Sequence, residues 1–242
     1  MRIAVISDIH ANLHALDTVL AAVDDEGVDE VWCLGDLVGY GPSPNECVSR
    51  VRERTSLCLV GNHDLAVLDR IDLDLFVGPA GEAARWTQTI LTDDARRFLL
   101  TLEAAGARER VALAHGSPRD PVWEYVLDDA AAAAAFAAVD EPLVLVGHSH
   151  VALEISLADG SLRGGAAADG TVVELDDARR LLNPGSVGQP RDGDPRAAWL
   201  VIDTEAARAT FRRTEYPVER TQAEMRNAGL PEVLAARLEH GA

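Results

Sequence analysis

Five short polar segments, spread from residue 8 to residue 150, carry side chains of the kinds that bind metal ions. They hold five of the seven histidines, and most of them directly follow an apolar, strand-like run. The segments are Asp8-Ile9-His10, Gly35-Asp36, Gly61-Asn62-His63-Asp64, His115-Gly116 and Gly147-His148-Ser149-His150. In open α/β sheets, ligands collect at the carboxyl ends of the strands. The five segments therefore predict a fold in which several strands end at one common site.

Strand-like and helical patterns alternate through the first 150 residues. Leu13, Leu16, Leu20 and Val23 have helical spacing, and Ser43-Pro44-Asn45-Glu46 predicts a capping box at the start of a second helix. Residues 80–104 and 130–138 are also helical in pattern, with a break at Thr92. The apolar runs that indicate strands are 3–7, 31–34, 57–60, 111–114 and 143–146. Such alternation predicts a parallel sheet with crossover helices.

After Val151 the pattern changes to short runs separated by glycine and aspartate. The runs 172–175, 198–202 and 209–213 predict an antiparallel second sheet, and residues 218–240 predict two short helices broken at Gly229-Leu230-Pro231. Asn183-Pro184-Gly185-Ser186 is interpreted as a structural turn. Because no repeat or long linker is present, we expect a single domain over residues 1–242. Its motif-bearing part is 1–150, and the second sheet and C-terminal helices occupy 151–242.

The net charge of −18 disfavours several classes of function. Non-specific nucleic-acid binding needs a basic surface, so we expect no nucleic-acid partner. The chain has no lysine, so a phosphorylated substrate would have to be captured by metal ions or a few arginines. The sequence has no apolar stretch of about 18 residues, which predicts no membrane span. The sequence has no signal-peptide pattern, and its odd number of cysteines, three, disfavours a disulfide framework. We therefore expect a cytoplasmic protein.

The polar segments combine carboxylate, imidazole and amide groups, a mixture that suits manganese, iron or zinc. The number of potential ligands exceeds the need of one ion, so two ions bridged by one carboxylate fit better. Asp8 and His10 lie two apart on what we take to be extended chain, as do His148 and His150, so each pair is expected to point to one side. His14 and His240 lie outside the segments, and we expect them to be structural.

The ordered set D-x-H, G-D, G-N-H-D, H and G-H-x-H resembles the signature of the calcineurin-like metallophosphoesterase superfamily. Residues 35–42 and 183–186 extend the similarity to its small bacterial and archaeal phosphoesterases. The resemblance implies a four-layer α/β/β/α sandwich of two packed mixed sheets, with the metal site at the carboxyl ends of strands. It also implies metal-dependent hydrolysis of a small phosphomonoester or phosphodiester, with nucleotides among the candidates.

Residue by residue, the resemblance implies a dinuclear site. Asp8, His10 and His150 would hold one metal ion, Asn62, His115 and His148 would hold the other, and Asp36 would bridge them. The nucleophile would be a water molecule or hydroxide bridging the ions. The ions would be divalent or trivalent, Mn²⁺, Fe²⁺/Fe³⁺ or Zn²⁺, with Mn²⁺ favoured for activity. His63 would protonate the leaving oxygen, and Asp64 would either orient His63 or serve structure.

Three further residues are candidates for substrate binding, namely Tyr40, Arg119 and Arg191. Other roles are open for them. Tyr40 could stack on a substrate ring or cover the metals, and Arg119 could be solvated or pair with Asp120. The Ser/Thr protein phosphatases, to which the motifs are also similar, have aspartate and arginine at the positions of Gly39 and Tyr40. This difference disfavours protein phosphatase activity. A nuclease of the same superfamily and a metal-free interaction scaffold on the same fold are also compatible with the sequence. The sequence does not predict the oligomeric state.

Overall fold

The computed structural model describes residues 1–242 and contains twelve strands, eight α-helices and two 3₁₀ helices. The strands are β1 (Arg2–Ile6), β2 (Glu30–Cys33), β3 (Leu57–Cys58), β4 (Ala105–Arg108), β5 (Val111–Ala114), β6 (Leu143–Val146), β7 (Ala152–Ala158), β8 (Ser161–Ala166), β9 (Val172–Glu174), β10 (Arg179–Pro184), β11 (Ala197–Asp203) and β12 (Arg208–Thr214). The α-helices are α1 (Leu13–Glu26), α2 (Pro44–Arg54), α3 (Asn62–Val67), α4 (Pro79–Ile90), α5 (Asp93–Leu99), α6 (Asp129–Ala138), α7 (Val218–Asn227) and α8 (Glu232–Ala236). The 3₁₀ helices are Leu73–Leu75 and Arg237–Glu239. No helix is both long and apolar enough to cross a membrane.

The strands form two six-stranded sheets of mixed direction. The first has the order β3-β2-β1-β11-β12-β9, and the second has the order β4-β5-β6-β10-β7-β8. Within the first sheet β1, β2 and β3 are parallel, whereas β11, β12 and β9 are antiparallel to their neighbours. Within the second sheet β5, β6 and β10 are parallel. The predicted parallel sheet is therefore divided between two sheets.

The strands that we predicted for the second sheet belong to the first sheet, so this prediction is wrong. The strands at 172–174, 197–203 and 208–214 are antiparallel, but they complete the first sheet, where Val5 on β1 pairs with Leu200 on β11. The second sheet begins at Ala105, well before residue 151. Nearly every residue of β11 is buried, because β11 is a central strand covered on both faces. Since early and late strands lie side by side in both sheets, we retain a single domain as our proposal.

Two local expectations also need correction. Ser43 precedes α2, but its side chain makes no capping hydrogen bond, so the predicted capping box is absent. Asn183 and Pro184 end strand β10 instead of forming a turn by themselves. The helix start at Thr92 is as predicted, since its hydroxyl accepts a hydrogen bond from the backbone N–H of Ala95 at 3.3 Å.

The core has three apolar layers, which makes the molecule an α/β/β/α sandwich. Between the sheets, Val5, Trp32, Leu145 and Leu200 form a buried cluster. The other face of the first sheet packs against α1, α2 and α5, and the other face of the second sheet packs against α6 through Phe136. Burial of apolar faces on both sides of each sheet is the main stabilising term of such a fold. The four-layer prediction is confirmed.

The polar segments lie at one end of this sandwich. Strands β1, β2, β5 and β6 end at residues 6, 33, 114 and 146, and each is followed within two residues by one of the segments. Hydrogen bonds join the segments across the two sheets, since His115 Nδ1 lies 2.9 Å from the Leu34 carbonyl oxygen. The backbone N–H of His148 also donates to Asp8 Oδ2 at 3.1 Å.

Candidate metal centre

The structure brings the predicted ligands from both sheets into one buried cluster. Three groups of side chains each place their potential ligand atoms within 4.8 Å of one another. The first ligand group is Asp8, His10 and His150, the second is Asp36, His115 and His148, and the third is His10, Asp36 and His63. Asn62 joins the second group, because its Oδ1 lies 3.1 Å from His115 Nε2. All seven side chains predicted to bind metals are thus in the cluster.

The backbone at these positions adopts the left-handed conformation that non-glycine residues usually avoid. The φ angles are 54° at Asp8, 49° at His10, 52° at Asp36, 64° at His148 and 60° at His150. Such backbone costs about 1–3 kcal/mol per residue and is concentrated at functional sites in proteins. The expectation of extended chain at Asp8–His10 and His148–His150 is therefore wrong. The left-handed residues turn the chain sharply, and His148 and His150 consequently fall in different ligand groups.

In the first ligand group the contacts are short and join the Nε2 atoms of the two histidines to a carboxylate. His10 Nε2 lies 3.0 Å from His150 Nε2, and His150 Nε2 lies 3.4 Å from Asp8 Oδ1. The opposite ring nitrogens, His10 Nδ1 and His150 Nδ1, face the carbonyl oxygens of Val38 at 3.2 Å and Gln189 at 2.6 Å. Because a carbonyl only accepts hydrogen bonds, each Nδ1 carries the proton and each Nε2 presents its lone pair.

The two facing lone pairs are unfavourable without a positive charge between them. Burial lowers the pKa of both His10 and His150 well below its usual value, so both rings stay neutral at neutral pH. Two neutral nitrogens that both act as acceptors repel each other at 3.0 Å. A cation that accepts both lone pairs, together with Asp8, removes the repulsion. The first ligand group therefore fits a metal ion.

Asp36 lies between the first and second ligand groups. Its Oδ2 is 3.6 Å from His10 Nε2 and 3.4 Å from His115 Nε2. Its Oδ1 accepts a hydrogen bond from the backbone N–H of His63 at 2.9 Å. Oδ2 is buried without any hydrogen-bond partner, as are Asp8 Oδ1 and His148 Nε2. Such unpaired buried groups are rare in folded proteins, and a metal ion would satisfy all three.

The pKa values of His115 and Asp36 also indicate a position that favours a cation. Burial disfavours charge on both side chains, but their mutual attraction outweighs it. It raises the pKa of His115 to about 9 and holds the pKa of Asp36 well below its usual range. Because His115 Nδ1 faces the Leu34 carbonyl, Nε2 is the nitrogen that lies next to Asn62 Oδ1, at 3.1 Å, and Asp36 Oδ2, at 3.4 Å. These three atoms surround a position that favours positive charge, as a metal ion would supply. Carboxylate, imidazole and amide ligands suit the divalent ions used by this kind of site.

His63 lies beside the ligand groups, with its ring enclosed by aromatic side chains. Its ring centre is 4.3 Å from that of Tyr40, 4.9 Å from that of His10 and 4.8 Å from that of Phe76. Its Nδ1 has no hydrogen-bond partner. Burial lowers the pKa of His63 to about 4, so the ring is neutral at neutral pH in the absence of substrate. A Cβ at Gly39 would lie 2.7 Å from His63 Nδ1, so glycine is needed there.

The three candidate substrate contacts lie in different surroundings. Tyr40 is buried against His10 and His63, and its hydroxyl accepts a hydrogen bond from Arg191 Nη2 at 3.3 Å. Arg191 also keeps a buried Nε–H without a hydrogen-bond partner. The Arg119 side chain instead is exposed and forms an ion pair with Glu124, so the structure places it outside the ligand groups.

Asp64 has a structural role in this arrangement. Its Oδ1 accepts a hydrogen bond from the N–H of Val38 at 3.0 Å, and its Oδ2 accepts one from the N–H of Gly61 at 3.0 Å. No hydrogen bond joins it to the His63 ring. The structure therefore supports the role in which Asp64 fixes the loops that carry Asp36 and Asn62.

Several contacts around the cluster are not anticipated from the sequence, including those of the segment that we interpreted as a structural turn. Asn183 and Ser186 tie the end of β10 to the ligand loops, and Ser186 Oγ donates to the Asp8 carbonyl at 2.7 Å. The Tyr125 ring stacks on the His148 ring, with centres 4.0 Å apart and an interplanar angle of 8°. The aromatic pattern Trp-Glu-Tyr at 123–125 is the signal that could have revealed this contact. A cavity of about 520 Å³ lies at the other end of the strands and is lined by none of the ligands.

Comparisons with known proteins agree with this fold. Residues 1–207 match the calcineurin-like phosphoesterase superfamily domain. An uncharacterised protein of Methanocaldococcus jannaschii is 37% identical over 246 residues, covering 98% of this chain and 96% of the relative. The crystal structure of a metallophosphoesterase from Sphaerobacter thermophilus is 44% identical and superposes with a TM-score of 0.91, covering 100% of this chain and 99% of that one.

A hypothetical protein from Pyrococcus horikoshii OT3 shares the fold at lower identity. It is 20% identical, with a TM-score of 0.81, and the match covers 100% of this chain and 98% of that one. The domain match spans most of the chain, and the Methanocaldococcus relative aligns over nearly all of it. The chain belongs to the calcineurin-like phosphoesterase superfamily.

Proposed function

We propose that this protein hydrolyses a small phosphomonoester or phosphodiester with the help of two metal ions. Asp8, His10 and His150 would hold one ion, Asn62, His115 and His148 would hold the other, and Asp36 would contact both. The observation that carries the proposal is the position of Asp36 Oδ2. It is buried, has no hydrogen-bond partner, and lies within 3.6 Å of a histidine nitrogen from each ligand group.

When bound, divalent ions such as Mn²⁺, Fe²⁺ or Zn²⁺ supply Lewis-acid chemistry, acidifying a water molecule and neutralising charge on phosphoryl oxygens. The protein itself holds the metal-binding side chains in position before any metal ion binds. The Nδ1–H groups of His10, His115 and His150 face backbone carbonyls, which fixes each ring and keeps each Nε2 directed into the site. This preorganisation avoids rearrangement during the reaction.

We assign proton transfer to His63. The ring lies beside the ligand groups, and His63 is among the least buried residues of the cluster. At a pKa of about 4 the ring is neutral before substrate binds. A phosphoryl dianion next to the ring favours the protonated form and raises this pKa. His63 would then donate its proton to the oxygen of the departing alcohol, whose negative charge develops as the phosphorus–oxygen bond breaks.

Arg191 and Tyr40 would hold the phosphoryl group on the side of His10. Arg191 carries the unpartnered Nε–H, and its Nη2 is fixed by Tyr40 and by Gln189 Oε1 at 3.0 Å. The guanidinium also lies over the Tyr40 ring, 5.7 Å from its centre. A fixed arginine binds phosphate with little loss of side-chain entropy, which matters in a protein of net charge −18.

The proposal is tested with a panel of phosphomonoesters and phosphodiesters assayed with the metal-free protein and with Mn²⁺, Fe²⁺ or Zn²⁺ added. We expect turnover of at least one ester class with Mn²⁺ and none after chelation. The Asp36→Asn variant is the control for contaminating phosphatases, because it should be inactive under every condition. Equal turnover by the metal-free and metal-loaded protein would contradict the proposal, as would equal turnover by Asp36→Asn.

A further inference from the structure

Three aromatic side chains lie along the least buried side of the candidate metal centre. We call Phe76, Trp123 and Tyr125 the aromatic rim. Phe76 contacts the His63 ring with its centre 4.8 Å away, and it contacts Trp123 with centres 5.8 Å apart. Tyr125 stacks on the His148 ring at 4.0 Å. The rim therefore touches the cluster on the side of His63 and on the side of His148.

Two of the rim residues, Phe76 and Tyr125, touch the cluster where its residues are least buried. Asn62, His63 and His148 each keep 4% of their surface exposed, whereas Asp8, Asp36 and His115 keep none. Phe76 contacts His63 and Tyr125 contacts His148, so two of these three least buried residues have a rim residue against them. A substrate whose phosphoryl group reaches the cluster on the side of His63 and His148 would lay the rest of its structure against the rim.

The rim also contains unusually exposed apolar surface. Trp123 and Tyr125 are 38% and 47% exposed. The chain has nine exposed large apolar residues, and five of them lie in residues 75–77 and 123–127, the two segments that carry the rim. These five are Leu75, Val77, Trp123, Tyr125 and Leu127. An apolar concentration of this kind beside a polar site usually marks a place where a ligand binds.

The loop that carries Trp123 and Tyr125 is held in place by hydrogen bonds near its start. This loop follows ligand His115, and the backbone N–H of Gly116 donates to the Pro121 carbonyl at 2.7 Å. The hydroxyl of Ser117 accepts hydrogen bonds from the N–H groups of Arg119 and Asp120. The position of the rim relative to the cluster is thus fixed, which lowers the entropy cost of binding a ligand there.

The charges near the rim favour a neutral planar group over a second phosphate. Arg119, in the same loop as Trp123, is paired with Glu124, and Arg85 is paired with Asp74 next to the Phe76 segment. Neither guanidinium is left without a carboxylate. Aromatic faces without free positive charge bind planar rings by stacking.

We propose that the aromatic rim binds the planar aromatic group of the substrate, a nucleobase or an aryl ring, while the phosphoryl group occupies the metal centre. This inference rests on the proposed phosphoesterase function and narrows its substrate class. Trp123 and Tyr125 are the specificity-determining residues, and Phe76 supports Trp123 beside His63. Sugar phosphates and other esters without a ring lack this contact.

The rim is tested by measuring the binding of non-hydrolysable phosphonates to the Mn²⁺-loaded protein by calorimetric titration. Phenylphosphonate is compared with methylphosphonate, and 9-(2-phosphonoethyl)adenine with ethylphosphonate, so each pair differs by a ring. We expect each ring-bearing compound to bind about tenfold or more tightly than its partner, which is the usual size of one stacking contact. Trp123→Ala and Tyr125→Ala should remove most of this advantage, measured as the ratio of the two affinities within each pair.

Three variants separate stacking from other effects. Trp123→Leu retains apolar surface without an aromatic ring, and it should lose the advantage as Trp123→Ala does. Tyr125→Phe retains the ring, and it should keep the advantage. Leu100→Ala removes an apolar side chain that is 48% exposed outside the rim, and it should bind every phosphonate as the unaltered protein does. Metal content, measured for each variant, shows whether the centre is intact.

The outcomes separate failure of the rim proposal from failure of the phosphoesterase proposal on which it rests. Equal binding of ring-bearing and ring-free phosphonates would overturn the rim proposal while leaving the phosphoesterase proposal standing. Failure of all phosphonates and of inorganic phosphate to bind would overturn both. Tighter binding of the adenine compound than of phenylphosphonate identifies a nucleobase, and equal binding identifies any aryl group. A Trp123→Ala variant that turns a dimer into a monomer, with unchanged phosphonate affinities, would assign the rim to a second copy of this chain and overturn the proposal.

Discussion

At the scale of single residues, Asp36 is the residue on which the proposed centre depends most. Its two oxygens have separate tasks, because Oδ1 accepts the His63 N–H at 2.9 Å while Oδ2 faces His10 and His115 without a hydrogen bond. Asparagine at this position can keep the first contact through its amide oxygen. It cannot supply the negative charge, and it would direct an N–H group towards the place where a cation should lie.

Asp36→Asn is therefore expected to lose metal with little change in fold. After loading with Mn²⁺ and removal of free ions, we expect about two ions per unaltered chain and fewer than one per variant chain, by plasma mass spectrometry. Asp17→Asn, which removes one partner of an exposed ion pair with Arg50, is the matched control and should retain both ions. Two ions in Asp36→Asn would refute the bridging assignment.

His63 could act in two ways that can be told apart by experiment. It lies close enough to His10 and Asp36 to be a further ligand, but we assign it to proton transfer. In that role His63→Gln should lower kcat by about 10²–10⁴-fold for alkyl esters, whose leaving oxygens need a proton, and much less for p-nitrophenyl esters. Metal content should not change. Loss of an ion would make His63 a ligand, and equal losses on both ester classes would speak against proton donation.

At the scale of secondary structure elements, the end of β10 supports the ligand loops. Asn183 Nδ2 donates to the Gly147 carbonyl at 2.7 Å and to Ser149 Oγ at 3.0 Å, next to ligands His148 and His150. Its Oδ1 accepts the N–H of Gly185 at 2.9 Å. All of these groups are buried, so removing the amide leaves them without partners.

Asn183→Ala is expected to lower the free energy of unfolding of the metal-free protein by about 1–3 kcal/mol, as measured in urea. Because the loop that carries two ligands loses its support, Mn²⁺ affinity should also fall by about 10–100-fold. Asn45→Ala provides the contrast, since Asn45 bridges the Ile90 carbonyl and the Thr92 N–H far from the ligands. It should lose stability alone, and a matching loss of affinity would show that the effect of Asn183 is not specific.

The elements also show which features can be predicted from local sequence. The predicted ends of β5 and β6 are correct, because apolar runs followed by glycine and polar residues mark them directly. Sheet membership cannot be predicted in this way, because it depends on pairing between distant residues such as Val5 and Leu200. The local sequence of β11 does not indicate whether its neighbour in the sheet is β1 or β10.

For the candidate metal centre, the sequence predicts which residues take part better than it predicts their backbone conformation. Asp8, Asp36 and His115 can be named from spacing and resemblance, but the left-handed backbone at His10 and His148 contradicts the extended chain that we expect there. Sharp turns after strands are favoured there by packing of the whole cluster, against the intrinsic preference of these residues. The aromatic rim cannot be predicted for a similar reason, since segments 76 and 123–125 meet only in the folded chain.

At the scale of the whole molecule, the metal-free protein buries several unpaired ligand atoms, including Asp8 Oδ1, Asp36 Oδ2 and His148 Nε2. Their burial weakens the folded state, and a metal ion that binds them stabilises it in proportion to its affinity. Each bound Mn²⁺ ion, at about 100 times its dissociation constant, should add about 2.7 kcal/mol to the free energy of unfolding. For a chain of this size, that corresponds to a rise in Tm of roughly 5–10 °C for each ion bound.

The rise in Tm should be specific to the centre and not a general effect of salt on an acidic protein. We therefore expect none in Asp36→Asn, and none in the unaltered protein when NaCl is added to the same ionic strength. Differential scanning calorimetry with and without Mn²⁺ measures all of these. An equal rise in Asp36→Asn would show that Mn²⁺ acts by screening the net charge of −18.

The dinuclear assignment is tested most sharply by a crystal structure of the Mn²⁺-loaded protein, with anomalous scattering recorded above and below the manganese edge. We predict two anomalous peaks about 3.5–4 Å apart. One should contact Asp8, His10 and His150, the other Asn62, His115 and His148, and Asp36 should contact both. A single peak, or a pair of peaks that Asp36 does not join, would show that the centre is not the dinuclear site proposed here.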